Sequence, residues 1–233
     1  MLSAQLPAQR WEIFCSVVDN FGDIGICWRL SRQLVAEFRL TVTLWVDDLT
    51  SFQRLCPEVD CQAEQQQLSG VDVRLWHLAI NWQQQQPANV IIEALACTIP
   101  YAYQQQMAAQ RLKPLWLNLE YLSAESWVED CHGLASPQQV GSRRLDKYFF
   151  FPGFTQKTGG LLCEHGLIVE RERLDRRRTD VEDHLVFGNF MNIHRADGRV
   201  GTKFFRHHDV IGQMHRATCN VRCIQNGIRR VGK

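Results

Sequence analysis

Apolar residues first gather at Trp11-Glu-Ile-Phe-Cys-Ser-Val-Val18, a short run that stops at the turn-forming Asp19-Asn-Phe-Gly-Asp23. A run of this length bounded by turn residues reads as a buried strand. Ile26, Leu30, Leu34 and Phe38 then recur every fourth residue, on one face of a helix. Val42–Val46 gives a second strand, ended by Asp47-Asp48, and these acids are expected to cap a helix over Ser51–Leu55. Val71–Trp76 alternates like a strand at a sheet edge. Asn89–Leu95 predicts a further buried strand, Tyr101–Arg111 a helix, and Pro114–Tyr121 the next strand. Ser123 with Glu125 opens a short helix through Val128, and Lys147–Pro152 is the last strand. The glutamine runs 65–67 and 83–86 read as polar connectors. Strands alternating with helices predict an α/β fold, a mainly parallel sheet with helices on both faces. Past Glu170 the pattern decays: Arg171–Arg178 fits a solvated helix, and no period survives beyond Asp183.

Composition narrows the class. Hydrophobic residues make up 45% and charged residues 22% of 233, as in a globular protein able to bury a core. No apolar run is long enough to span a bilayer, and the first residues lack a signal-peptide pattern. Nine cysteines, odd in number and scattered through strands and helices, suit reduced thiols in a cytoplasmic protein. Charge then divides the chain. Residues 1–183 hold 17 Lys and Arg against 23 Asp and Glu, whereas 184–233 hold nine against two, with five of the eight histidines. The division sets 184–233 apart as a basic tail expected to be disordered or out of frame.

Open parallel sheets bind ligands beyond the C-terminal ends of their strands, so the loop after the first strand is the first candidate. It reads Asp19-Asn20-Phe21-Gly22-Asp23-Ile24-Gly25. One carboxylate of this pair suits a guanidinium held by paired hydrogen bonds, and the other suits acceptance of a proton. The alternative is structural: Asp23 caps the helix, Gly22 supplies an unusual backbone angle, and Asp19 stabilises the turn. Neither a G-x-G-x-x-G fingerprint nor a G-x-x-x-x-G-K-[ST] loop is present. Glu120, at the end of an inner strand, is a second candidate on the same rim. The third is Phe149-Phe-Phe-Pro-Gly-Phe154 with Thr158-Gly-Gly160, either core or a turn whose amides approach a phosphate.

Four segments, Phe14-Cys-Ser-Val-Val-Asp-Asn-Phe-Gly-Asp-Ile-Gly25, Leu44-Trp-Val-Asp-Asp48, Trp116-Leu-Asn-Leu-Glu-Tyr-Leu-Ser-Ala-Glu125 and Tyr148-Phe-Phe-Phe-Pro-Gly-Phe-Thr155 with Thr158-Gly-Gly-Leu-Leu162, resemble the EarP family over residues 11–162. These are protein-arginine rhamnosyltransferases of elongation factor P. The resemblance implies that residues 1–162 are the Rossmann-like, N-terminal, acceptor-side domain of a two-domain GT-B glycosyltransferase, with 163–183 as a transition segment. The implied donor is TDP-β-L-rhamnose, with inversion at the anomeric carbon and no metal or further cofactor. The acceptor partner is elongation factor P, and neither nucleic acid nor membrane is expected as a partner. Asp19 and Asp23 match the family's two essential aspartates. Asp23 is assigned as base and Asp19 as its orienting partner, with Asn20, Phe21, Gly22 and Glu120 in substrate binding.

The family's second domain is expected to begin soon after Gly159-Gly160, and a C-terminal helix to return to the first. Neither is recognisable in 184–233, which reads as a truncated or frameshifted end, so this chain alone is expected to be inactive. The rival reading is a non-catalytic remnant that only binds the acceptor. Cys219 and Cys223 with His207, His208 and His215 fit no common zinc spacing, and the basic balance lacks the interleaved aromatics of a nucleic-acid face.

Overall fold

Residues Trp11 to Cys15 are buried at every position, apolar on one face and Glu12 and Phe14 on the other, because their strand lies at the centre of a sheet. The computed structural model describes residues 9–18, 21–77 and 79–171. The central strand β1 (Arg10–Cys15) runs parallel to β2 (Thr41–Val46) on one side and β5 (Val90–Ala94) on the other. β4 (Val71–Leu75) extends the sheet beyond β2, and β6 (Leu115–Leu119) then β8 (Arg143–Phe150) extend it beyond β5, all in parallel. Two antiparallel strands close the edges, β3 (Gln65–Leu68) on β4 and β7 (Ala135–Val140) on β8. The order is β3-β4-β2-β1-β5-β6-β8-β7, the mostly parallel α/β sheet that the alternation predicts.

One face packs on α1 (Gly22–Phe38) and α2 (Leu49–Leu55). Ile24, Cys27, Trp28, Ser31 and Leu34 of α1 are buried against Trp11, Ile13, Cys15, Val42 and Leu44. Of the expected four-residue row, Leu30 and Leu34 are buried, while Ile26 and Phe38 sit half-buried at the margin. The helix stops at Arg39, in the left-handed region at φ 53°, where Arg39 N donates to Val35 O and Leu40 N to Leu34 O. The other face is aromatic. Phe14 stacks on Trp45 at 5.8 Å, and Trp82 lies 5.1 Å from Trp45 and 5.6 Å from Tyr103, which α3 (Tyr101–Ala109) supplies.

Several expectations change. The run Gln65–Gln67 is the edge strand β3 rather than a connector, which moves β4 inward; a strand exposed at the margin needs no apolar alternation. β7 carries Pro137, tolerated because an edge strand can spare an N–H. α3 ends at Ala109, short of Arg111. Ser123 Oγ accepts from Glu125 N in a turn, and the short helix α4 (Val128–Cys131) begins later. Asp48 caps α2 as expected, accepting from Thr50 N, Ser51 N and Ser51 Oγ.

After β8 the chain returns to the outer side of α1. Arg29 holds Glu164 through two nitrogens at 2.8 and 2.7 Å, Gln33 donates to Cys163 O, and Glu37 accepts from His165 N. The seven described cysteines form no disulfide. Among the described residues no helix is long and apolar enough to cross a membrane. The helix expected at 171–178, the basic segment 184–233, and its Cys219, Cys223, His207, His208 and His215 lie outside the described residues, Arg171 excepted.

Two predictions follow from the packing. Glu12 accepts the Tyr103 hydroxyl inside the aromatic face, and burial pushes its carboxyl up to about 7 despite Arg10 and Arg74. A folded chain that holds the proton more tightly than the unfolded one gains full stability from this group below about 4.5 and loses it as pH rises to about 7. Glu12→Gln is therefore expected to remove about 2 kcal/mol of the fall in unfolding free energy between roughly pH 5 and 8. Urea titrations at both pH values check it, and an unchanged fall removes Glu12 as its source. Asp48→Ala is expected to cost about 1 kcal/mol, read as a lower urea midpoint; an unmoved midpoint means that the cap contributes nothing.

Candidate active site

The register of the sheet sets the site. Cys15 lies opposite both Val46 and Ala94, Ala94 opposite Leu119, and Leu119 opposite Phe150. The C-terminal ends of β2, β1, β5, β6 and β8 are therefore level, and their loops leave from one rim. Glu120 and the Phe154 segment stand on that rim, as do Val18 and Phe21, which flank the first loop. Asp19 and Asn20 themselves lie outside the described residues.

Asp23 occupies the first turn of α1, at the positive end of the helix dipole, and is 1% exposed. Its Oδ2 accepts from Val18 N at 3.2 Å and its Oδ1 from the Tyr121 hydroxyl at 3.0 Å. The N-cap position is Phe21, which makes no side-chain cap hydrogen bond. Gly22 is helical and has no left-handed angle, which removes the unusual-angle alternative. A Cβ built there would meet open space, so the backbone beside Asp23 is uncrowded. Beneath the carboxylate, Cys15 has its thiol pushed well up, first by its hydrogen bond with Cys27, then by burial, then by the charges of Asp23 and Asp47. Asp47, ending β2, accepts from Val17 N at 2.8 Å.

Glu120 and Tyr121 separate by parity. Leu117 and Leu119 face α1, and Tyr121 continues that parity to reach Asp23. Glu120 follows Asn118 on the opposite parity: its Oε1 accepts from Asn118 Nδ2, and its N–H donates to Phe150 O. None of the described hydrogen bonds joins Glu120 to Asp23. Tyr121 is thus the residue that sequence reasoning quoted without singling out, and the alternation along β6 was the signal that pointed to it.

The Thr158-Gly159-Gly160 turn does not present its first two amides to a ligand. Thr158 N donates to Thr155 O and Gly159 N to Phe151 O, and a Cβ at Gly159 would lie 2.3 Å from the Phe150 ring. The glycine is there for that ring. A second feature has no signature in residue type. Leu95 and Ala96, just past β5, both hold left-handed angles, φ 55° and 64°. Leu95 N still donates to Leu119 O and Cys97 N to Ala94 O, so the strained pair is fixed from both sides at the rim. Ser16 Oγ, after β1, lies 3.6 Å from Cys97 Sγ. Among the described residues no cluster of side chains suits a metal ion.

Known proteins share this arrangement of motifs. A protein-arginine rhamnosyltransferase of Pseudomonas putida is 60% identical over 162 residues, covering 70% of this chain and 42% of its own length. One from Pseudomonas aeruginosa is 53% identical over 163 residues, with the same coverage of 70% and 42%. One from Shewanella oneidensis is 48% identical over 178 residues, 73% of this chain and 44% of its own. The chain spans less than half the length of these curated relatives. The model of the family described as "Elongation-Factor P (EF-P) rhamnosyltransferase EarP" matches residues 11–213, past Leu162 where the recognised motifs end, and the chain belongs to that family.

Proposed function

We propose that this domain receives the acceptor in the transfer of rhamnose from TDP-β-L-rhamnose to an arginine of elongation factor P, with inversion and without a metal. The observation that carries the reading is the buried Asp23 carboxylate, which stands on the rim and accepts from the Val18 amide and the Tyr121 hydroxyl. A guanidinium is a poor nucleophile, because its lone pairs are delocalised and its proton is held far above neutral pH. A fixed carboxylate aligns one nitrogen with the anomeric carbon and takes a proton from it as the bond forms. The nitrogen–carbon bond forms while the bond from that carbon to the diphosphate oxygen breaks. The electron pair leaves with TDP, and the nitrogen's proton passes to Asp23. Asp19 holds the guanidinium alongside, and Asn20, Phe21, Gly22 and Glu120 form the rest of the acceptor surface. The cytoplasm, where the acceptor and the nucleotide sugar both reside, is the proposed location.

A second reading, acceptor binding without turnover, is favoured by one observation: in the turn after β8 the Thr158 and Gly159 amides are spent on carbonyls of the chain rather than left for a phosphate. The test joins residues 1–162 to the remaining part of that relative and follows the mass of elongation factor P in the presence of TDP-β-L-rhamnose. Rhamnose addition is expected, and Asp23→Asn is expected to lower its rate by at least about 100-fold, with the fold intact by thermal melting. Normal turnover in that variant would remove Asp23 as base. The unfused chain binding the acceptor with no mass added selects the second reading for this chain.

A further inference from the structure

We infer that the apolar groove between α4 and the end of β8 is a docking site for the acceptor protein. It takes an apolar side chain carried on the basic segment that bears the target arginine. The inference rests on the reading of this rim as the place where that arginine arrives.

The groove has a volume of about 260 Å³ and is lined by Trp127, Cys131, Leu134, Phe149 and Phe151. A cavity of about 150 Å³ already holds a benzene ring, so one large apolar side chain fits here. Ring contacts order the walls: Trp127 meets Phe151 edge-on at 5.3 Å, and Phe149 stacks on Phe151 at 6.1 Å. Trp127 and Leu134 are nonetheless 53% and 54% exposed. Aromatic side chains fixed around an open apolar pocket are the usual anchors of a protein interface. A free small molecule fits less well, because its orientation needs convergent polar groups and every lining residue is apolar.

Place and charge both favour the acceptor. Asn118 lies opposite Phe149 and Leu119 opposite Phe150, and Glu120 N donates to Phe150 O, so Glu120 follows opposite Phe151. The groove thus adjoins the rim at Glu120. β8 is three strands from β1, or about 14 Å at about 4.8 Å per strand. About four residues of extended chain cover that span, so a segment whose arginine reaches the loop after β1 also reaches the groove. Residues 120–131, which carry Trp127 and Cys131, hold Glu120, Glu125, Glu129 and Asp130 but neither lysine nor arginine. Lys157 pairs with Glu129 at 3.2 Å. His132, whose Nδ1 accepts from Phe151 N, is pushed below its ordinary range by burial, which keeps it neutral. An apolar floor with an acidic border complements an apolar side chain flanked by cations. A second copy of this chain is a poor occupant, since a symmetric contact through the groove sets acid against acid.

The test measures binding of elongation factor P to the full 233-residue chain by titration calorimetry, with thermal melting and self-association followed for each variant. Trp127→Ser and Leu134→Glu alter exposed positions, and each is expected to weaken binding by about 10-fold or more with melting little changed. Leu112→Glu is the control, at a leucine 83% exposed just before β6, at the other end of the strands; it is expected to bind normally. Glu125→Gln with Asp130→Gln is expected to weaken binding about 3-fold at low salt, a difference lost near 1 M salt. Serine in place of the apolar residues of the acceptor's arginine-bearing segment is expected to weaken binding to the unaltered chain, but no further to Leu134→Glu. Full binding by both groove variants overturns the docking site and leaves the reading of the rim standing. If binding is unchanged while self-association is lost, the groove belongs to a second copy; if melting falls instead, it is filled by the chain itself. Either result overturns the inference, as does serine weakening that adds in full to Leu134→Glu. An unaltered chain that does not bind elongation factor P sinks the reading of the rim, and this inference with it.

Discussion

The level register of five parallel strands is the constraint on which the rest depends. Cys15, Val46, Ala94, Leu119 and Phe150 are linked residue to residue across the sheet, so each following loop begins at the same height. Asp23 and Tyr121 stand 98 positions apart in the chain, yet meet at 3.0 Å because both follow strands that end there. A slip of one residue between β5 and β6 would send Tyr121 to the aromatic face and bring Glu120 over α1 instead. Register is protected against such a slip by burial on both faces: Leu117 and Leu119 are packed on the α1 side and Trp116 on the other.

The two faces hold the rim in different ways. On the α1 side, Ile24, Cys27 and Trp28 anchor the first turns of the helix, which fixes where the Asp23 carboxylate stands relative to β1. On the aromatic side, the Phe14, Trp45, Trp82 and Tyr103 rings interlock beneath the strands, and Trp76 Nε1 donates to Cys15 O at the last position of β1. That single bond links the aromatic face to the strand end from which the candidate loop departs. Two buried carboxyls lie within this face: Glu93 is paired with Lys147, and the other is Glu12. It is a carboxyl buried among rings, met by Tyr103, and it stays neutral more easily than an ordinary carboxyl. Loosening at the base of β1 as the pH rises would be felt along the same strand that carries the site.

What was legible in the sequence follows from burial. β1, β2, β5 and β6 are apolar on both faces or nearly so, and each was visible as a short run between turn residues. β3 and β7 were not visible, because edge strands made of Gln-Gln-Gln-Leu and Ala-Ser-Pro-Gln-Gln-Val carry no apolar period; only their pairing makes them strands. The four-residue row in α1 was half right: the helix presents a broader stripe that includes Cys27 and Ser31, whose small side chains let it approach the sheet. Asp23 was legible through motif and position. Tyr121 was legible only once the facing of Leu117 and Leu119 was known. The left-handed pair Leu95-Ala96 had no signal at all, since neither residue type favours that angle.

The sign of charge along the rim bears on which substrate this domain receives. The turns after β2, β1 and β6 carry Asp47, Asp23 and Glu120, and the first two are held by the backbone amides of Val17 and Val18. The glycine turn after β8, the candidate phosphate cradle, spends its Thr158 and Gly159 amides on carbonyls of the same chain. An anionic diphosphate would meet fixed negative charge at the acids, and at the turn would find those two amides already used. A guanidinium meets the opposite situation, with carboxylates already oriented before it arrives, so that less ordering remains to be done on binding. On the proposed reading the rim is therefore an acceptor site by its electrostatics as well as by its likeness to arginine-modifying enzymes. The nucleotide of the donor is then expected to draw most of its binding from groups other than these rim acids.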